Sequence, residues 1–417
     1  MNTLIIKKSC IQGNVSISGA KNSVLRLLAA SMLTQDKIII NNYPSGLLDA
    51  QVHVEMLEML GKKCTLFGEN SIAIEEQTDI KTTLAWKGRS IRNTLLILGA
   101  LIARKGFGSV PLPGGCNLGG RAFDLHEMLF KDMGAHVWQE NEMLCAEAPK
   151  GGIKGADIHL PIRSTGATEN AIIAGSLAEG TTRIWNPHIR PEILDLIAFL
   201  QGMGAKIRVF GQEHIEVVGV DSLGGTTHTV IPDNMEAITW LIAAVMTGGD
   251  IEMHHFPYRD LEVPLIHLRE SGARFFTGEE SLIVRGGRCY PLEISTGPYP
   301  GINSDVQPVL AAYAACANGA SRIIDLRFPG RYGYAEEMAK MGLEFNTDGN
   351  LLKIFGKGGQ LRGATVKAID LRAGAALALC GMVAEGETII TDAWQIGRGY
   401  NHFVQKLKSL NGFISEG

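Results

Sequence analysis

The sequence predicts an α/β chain of two similar domains, each made of three repeated units in which an almost wholly apolar helix is buried behind sheet. Three observations carry that prediction. A short pattern closes an amphipathic helix six times, at MLGKK, DMGAH, GMGAK, ESGAR, KMGLE and SLNGF, with a spacing of roughly 70 residues. Ahead of each lies an apolar run rich in small residues: VLRLLAASML, TLLILGALIA, AIIAGSLAEG, AITWLIAAVM, VLAAYAACAN and ALALCGMVAEG. A helix with no polar face is buried on all sides. Each run is followed, after a Gly or polar break, by a β-like segment: KIIINNY, GSVPLPG, TTRIWNP, DIEMHHF, SRIIDLR and ETIITDA.

Along the chain, the opening segment LIIKKSCIQGNVSIS is β-like and has no helix of its own, so it is expected to pair with the last unit. The domains then read as 22–229, carrying a glycine-rich cysteine loop, and 1–21 plus 230–417, holding both termini. At matching points of the repeat the charges recur. Lys21 and Asn22 open the buried helix of the first unit, Arg92 that of the second, and Glu169 with Asn170 that of the third. Asp305 stands there in the fifth, and Asp370 with Arg372 in the sixth. The outer helices are expected to start at Arg121, Arg190, Arg259, Arg331 and Arg398. Taken singly, each arginine is a solvated cap or a salt-bridge partner. As a set they line helix N-termini, whose free N–H groups and dipole attract anions, and Arg forks onto carboxylate or phosphate. The expected substrate carries phosphate and carboxylate.

Composition narrows the class. The formal charge of −4 includes no long basic block, which argues against nucleic acid. The longest apolar stretch, TLLILGALIA, is shorter than the ~20 residues a bilayer-crossing helix needs. The start, MNTLIIKKSC, lacks a signal-peptide layout, and seven cysteines without a CxxC pair fit neither a disulfide framework nor a zinc site. The expected setting is the reducing cytoplasm, with no metal and no membrane partner.

Two residues demand chemistry. Asp305, in GINSDVQ, sits among cations, either as an ion-pair partner or as a base near a substrate hydroxyl. Cys116, in PLPGGCNLGGRAFD, is flanked by glycines and lies close to Arg121, conditions that expose a thiol and lower its pKa. The other six cysteines, Cys10, Cys64, Cys145, Cys289, Cys316 and Cys380, read as small hydrophobes. There is no GxxxxGK[ST], no GxGxxG with a ribose acid, and no G-x-S-x-G elbow.

The stretches SGAKNSVLRLLAAS, LPGGCNLGGRAFDLH, STGATENAIIAGSLAEGTT, PYPGINSDVQ, DLRAGAALALCGMVAEGET and GRGY together resemble the UDP-N-acetylglucosamine 1-carboxyvinyltransferase family. These are enolpyruvyl transferases that open peptidoglycan synthesis. The resemblance implies two inside-out α/β barrels of three units each, with the active site in the cleft between them. It implies phosphoenolpyruvate held by Lys21, Arg121 and Arg398, with Arg92, Arg331, Asp370 and Arg372 nearby. Asn22, Asp305 and Arg327 are implied to meet the sugar nucleotide, along with Arg121, Ala122, Phe123, Asp124, Leu125 and His126 and with Ser164, Thr165 and Gly166. Asp305 would take the proton of the sugar 3-hydroxyl, and Cys116 would protonate the methylene carbon of phosphoenolpyruvate and be alkylated by fosfomycin. No metal or organic cofactor is implied, and the state is a monomer or weak homo-oligomer. The chain departs from the family pattern at Ala122, Phe123, Ile162, Arg190 and Gly397. Several of these lie toward the nucleotide, which leaves transfer to another uridine nucleotide or nucleoside as a second reading and a non-catalytic sugar-nucleotide binder as a third.

Overall fold

Helices of two kinds alternate along the chain, because apolar runs and amphipathic runs alternate in its sequence. The computed structural model describes residues 2–89, 91–112 and 123–417. The chain divides into two compact units: an N-terminal one, residues 19–45 and 49–231, and a C-terminal one, residues 1–18, 46–48 and 232–417. Both units are mixed α/β.

The N-terminal unit holds α1 (Lys21–Ala30), α2 (Leu48–Leu60, apart from its first residue), α3 (Thr94–Lys105), α4 (Asp124–Asp132), α5 (Thr165–Gly175) and α6 (Pro191–Gly202). The C-terminal unit holds α7 (Asn234–Thr247), α8 (Glu262–Glu270), α9 (Gln307–Ala315), α10 (Gly333–Ala339), α11 (Leu371–Val383), α12 (Trp394–Gly397) and α13 (Phe403–Ser409). The odd-numbered helices from α1 to α11 are the apolar ones. All nine residues of α9 are buried, as are Leu371 to Met382 of α11. In the C-terminal unit α7, α9 and α11 pack on one another; in the N-terminal unit α3 packs on α1 and α5. Small residues permit this close approach. A Cβ at Gly99 of α3 would lie 1.8 Å from Oδ1 of Asn170 on α5.

One strand topology recurs. In the C-terminal unit Gln12–Ser16 runs parallel to Asp250–His254, Glu293–Ser295 parallel to Asn318–Ile324, and Thr365–Lys367 parallel to Glu387–Thr391. Each second strand then pairs antiparallel with Ser281–Gly287, Leu351–Lys357 or Thr3–Lys7 respectively. The N-terminal unit repeats the scheme with Thr226–Thr229 beside Ile38–Asn41 and with Asp157–His159 beside Thr181–Trp185. In its third sheet an isolated parallel bridge, Thr83 to Ser109, takes the place of the first strand. A parallel pair needs a crossover, and where its strands are consecutive in the repeat the buried helix supplies it. These helices are α5 between Asp157–His159 and Thr181–Trp185, α9 between Glu293–Ser295 and Asn318–Ile324, and α11 between Thr365–Lys367 and Glu387–Thr391.

The opening segment is shared between two sheets. Thr3–Lys7 joins Glu387–Thr391 and Ile414–Glu416 of the last repeat, whereas Gln12–Ser16 serves the fourth. The boundaries fall at 18/19 and 231/232 instead of 21/22 and 229/230. Pairing explains the extension, since Val230 donates its N–H to Asn41 O at 3.1 Å and Ala20 donates to Ile231 O at 2.8 Å. Among the described residues no helix is long and apolar enough to cross a membrane.

Candidate active site

In the C-terminal unit four charged side chains from two repeats meet. Asp370 is the N-cap of α11, accepting the backbone N–H of Arg372 and Ala373 at 2.8 Å each. That cap fixes the first turn and with it Arg372, which is only 1% exposed. The Arg372 guanidinium lies 5.2 Å over the Tyr400 ring, and its Nε is 3.7 Å from Asp305 Oδ2. Arg331 bridges the two carboxylates, with Nη1 3.1 Å from Asp305 and Nη2 3.3 Å from Asp370.

The electrostatics follow from the pairing. Burial opposes the charge on Arg331, but Asp305 and Asp370 outweigh it and raise its pKa. Burial likewise opposes the charge on Arg372, and Tyr400, Asp305 and Asp233 outweigh it, raising its pKa. Both guanidiniums are therefore permanent cations. Nε and Nη1 of Arg372 are buried without a hydrogen-bond partner, since the Asp305 contact is too long for one. Buried donors of this kind are rare and call for an acceptor. Chemically, the cluster is an anion clamp with one carboxylate, Asp305, held between two cations and 31% exposed at its side chain.

Arg398 follows α12 as its C-cap instead of opening α13, and its Nη1 donates to Gln395 Oε1 at 3.0 Å. Arg327 is exposed, with its guanidinium 5.7 Å over the Phe328 ring. Burial lowers its pKa, against the pull of Asp325. Arg259 lies exposed in the turn Tyr258–Leu261 ahead of α8.

In the N-terminal unit Lys21 is the first residue of α1 and Asn22 the second. Lys21 pairs with Asp49 of α2 at 3.0 Å, and both side chains are largely buried. Arg92 precedes the Asn93 N-cap of α3 and is exposed. Ser164 is the N-cap of α5 and accepts from Ala167 N–H at 3.4 Å, while Thr165 Oγ1 lies 2.8 Å from His188 Nδ1. His126, buried on α4, lies 2.9 Å from Asn170 Nδ2, and a Cβ at Gly166 would come 3.3 Å from its Nε2. Burial, then the charge of Arg92, lowers the His126 pKa to about 3, so the ring is neutral. His126, Thr165 and Gly166 are thus brought together. Phe123 caps α4 half-buried, Asp124 begins that helix exposed, and Leu125 follows it. Cys116, Arg121 and Ala122 lie outside the described residues.

Some sequence expectations are corrected. Glu169 and Asn170 lie in the middle of α5, fully buried, and not at its mouth. Glu169 pairs with Arg26 at 2.7 Å, and Arg190, the N-cap of α6, pairs with buried Glu192 at 2.7 Å. Cys10 is exposed between strands, whereas burial pushes the Cys64 and Cys380 thiols up to about 12, making them inert. Sequence reading missed Asp49, Asp233, Asp325 and Tyr400. Asp233 had a signal, since Asp233-x-x-Glu236 ahead of an apolar run is a capping pattern, and its carboxylate accepts from Met235 and Glu236 N–H.

Known proteins match the chain over its length. The family model of EPSP synthase (3-phosphoshikimate 1-carboxyvinyltransferase) covers residues 5–407. A UDP-N-acetylglucosamine 1-carboxyvinyltransferase of Finegoldia magna is 39% identical over 99% of this chain and 98% of its own. One from Magnetococcus marinus is 37% identical over 97% and 96%. Among solved structures, the enolpyruvyl transferase NikO from Streptomyces tendae superposes with a TM-score of 0.89 at 23% identity, over 99% of this chain and 98% of its own. EPSP synthase from Acinetobacter baumannii gives 0.75 at 17% identity, over the whole of both chains, so these two speak for the fold alone. By sequence across essentially its whole length, the chain belongs to the enolpyruvyl transferase family, with the UDP-N-acetylglucosamine 1-carboxyvinyltransferases, and is a carboxyvinyl-transferring enzyme.

Proposed function

We propose that the chain transfers the enolpyruvyl group of phosphoenolpyruvate to the 3-hydroxyl of UDP-N-acetylglucosamine, releasing phosphate, as the first committed step of peptidoglycan synthesis. The observation that carries this reading is the Asp305–Arg331–Asp370–Arg372 cluster, a carboxylate poised between two permanent cations. It suits a reaction that needs a base beside bound anions. The names of the full-length relatives supply the acceptor.

In this reading Asp305 takes the proton of the 3-hydroxyl as that oxygen attacks the central carbon of phosphoenolpyruvate. Cys116 gives its proton to the methylene carbon, which becomes a methyl group. The tetrahedral ketal then loses phosphate and one methyl proton to give the enolpyruvyl ether. Lys21, Arg121 and Arg398 hold the phosphate and carboxylate, with Arg92, Arg331, Asp370 and Arg372 beside them. Such fixed charges stabilise the transition state without reorganising. Asn22 and Arg327 meet the sugar, and Arg121 to His126 with Ser164 to Gly166 meet the uridine end. No cofactor takes part. The helix-and-sheet repeats of each unit suit an inside-out α/β barrel, and the enzyme works in the cytoplasm as a monomer or weak homo-oligomer.

Phe123, at the start of α4 beside His126, favours one alternative: an acceptor that is a different uridine nucleotide. Phosphate release from phosphoenolpyruvate across a panel of uridine compounds separates the two. Turnover is expected with UDP-N-acetylglucosamine. Release only with another nucleotide would overturn that acceptor, and silence with every compound would point to a non-catalytic binder.

A further inference from the structure

We propose that Asp325 is a positioning residue that sets Asp305 and Arg331 against each other, an inference that rests on the reading of Asp305 as the base. Asp325 follows directly on the strand Asn318–Ile324 and is wholly buried. Its carboxylate accepts five hydrogen bonds, from Thr296 Oγ1 (2.9 Å), Ser304 Oγ (2.5 Å), Gln307 Nε2 (2.9 Å) and the N–H groups of Arg327 (2.9 Å) and Phe328 (3.0 Å). A carboxylate is expensive to bury, and five donors saturate its lone pairs.

The donors fall in two groups. Ser304 and Gln307 bracket Asp305, which stands in the short turn Ser304–Val306 that leads into α9. Asn303 completes the turn by accepting the Asp305 N–H at 3.0 Å. Arg327 and Phe328 open the segment that ends at Arg331, and the Arg331 guanidinium lies 5.6 Å over the Phe328 ring. One carboxylate therefore ties down both backbones whose side chains meet at 3.1 Å. Its own N–H donates to Tyr332 Oη at 3.1 Å, and Tyr332 donates to Asn350 O, so the anchor is itself anchored. A base must be held to within a fraction of an ångström to accept a proton in the transition state, and a displacement of about 1 Å costs on the order of 100-fold in rate.

The test compares Asp325→Asn and Ser304→Ala with the parent enzyme, by phosphate release with both substrates varied. Asparagine keeps the shape but turns one acceptor oxygen into a donor that faces donors. Asp325→Asn is expected to lower kcat by about 10- to 100-fold, with both KM values within about 3-fold and a single cooperative melt. Ser304→Ala, which removes one contact and holds the test if Asp325→Asn does not fold, is expected to lower kcat by about 3- to 10-fold in the same pattern. A kcat within about 2-fold of the parent for the folded variants, or a loss that falls on KM, overturns the inference. Asp305→Asn measured alongside separates the two ideas. If it keeps the parent kcat, the base assignment falls; if it is slow while Ser304→Ala is not, only the positioning role falls.

Discussion

At the scale of the residue, charge is handled in two ways. Some ions are largely hidden together, as with Arg190 on Glu192 and Arg26 on Glu169, whose charges also reach one another. Others are shared, as Arg331 is between Asp305 and Asp370. A shared ion can exchange partners with a substrate, which is why the sharing cluster is the better site. Asp49 acts differently, steadying the Lys21 ammonium in a largely buried pair at 3.0 Å. Asp49→Asn is expected to raise KM for phosphoenolpyruvate about 10-fold, the scale of a lost charge-assisted contact; an unchanged KM would remove Asp49 from the account. For Cys116, mass spectrometry after exposure to fosfomycin is expected to find the adduct on that thiol and nowhere else. On the proposed role of Cys116 as an acid, Cys116→Asp is expected to keep turnover; complete inactivity would mean that sulfur itself is required.

At the scale of the element, helix caps and close approaches do the positioning. Asp233 caps α7 and acts on Arg372 through space, so Asp233→Ala is expected to cost about 1–2 kcal/mol of stability in urea titration. Gly99→Ala places a methyl where Asn170 now sits, and the expected cost is about 1–3 kcal/mol. Elements were the legible part of this sequence. The apolar runs announced all six buried helices because burial on every side leaves no polar face to read. Charged residues at helix mouths, such as Lys21, Asp370 and Arg372, were legible for a related reason, because an ion ahead of an apolar run has few structural excuses. Asp325 and Asp49 were not, since an isolated carboxylate says nothing until the fold brings Thr296, Ser304 and Gln307, or Lys21, to it. Arg398 misled because the last outer helix breaks into α12 and α13, which its sequence spacing does not signal.

At the scale of the whole molecule, stability carries a pH signature. Burial, then Arg26, lowers the His53 pKa from 6.5 to about 3 against the pull of Asp49, and burial with Arg92 does the same to His126. A folded-state pKa below the unfolded value favours the neutral ring. Their contribution is full above about pH 6.5 and is lost as pH falls toward 3, at up to about 1.4 kcal/mol per pH unit for each ring. Urea midpoints measured from pH 8 to 4 are expected to fall along this slope, and His53→Gln or His126→Gln to flatten it. A parent slope that stays flat through pH 5 would contradict the burial argument.

The strand Thr3–Lys7 lies between Glu387–Thr391 and Ile414–Glu416, with Thr3 opposite Thr391. On the ribosome this strand is made long before either of its neighbours, with the whole of residues 19–231 emerging in between. The described strands of residues 19–231, by contrast, find their partners within that span. Synthesis therefore imposes a timetable. Residues 19–231 are free to fold as they emerge, while the apolar strand Thr3–Lys7 waits for partners until residues 387–391 and 414–416 have been made.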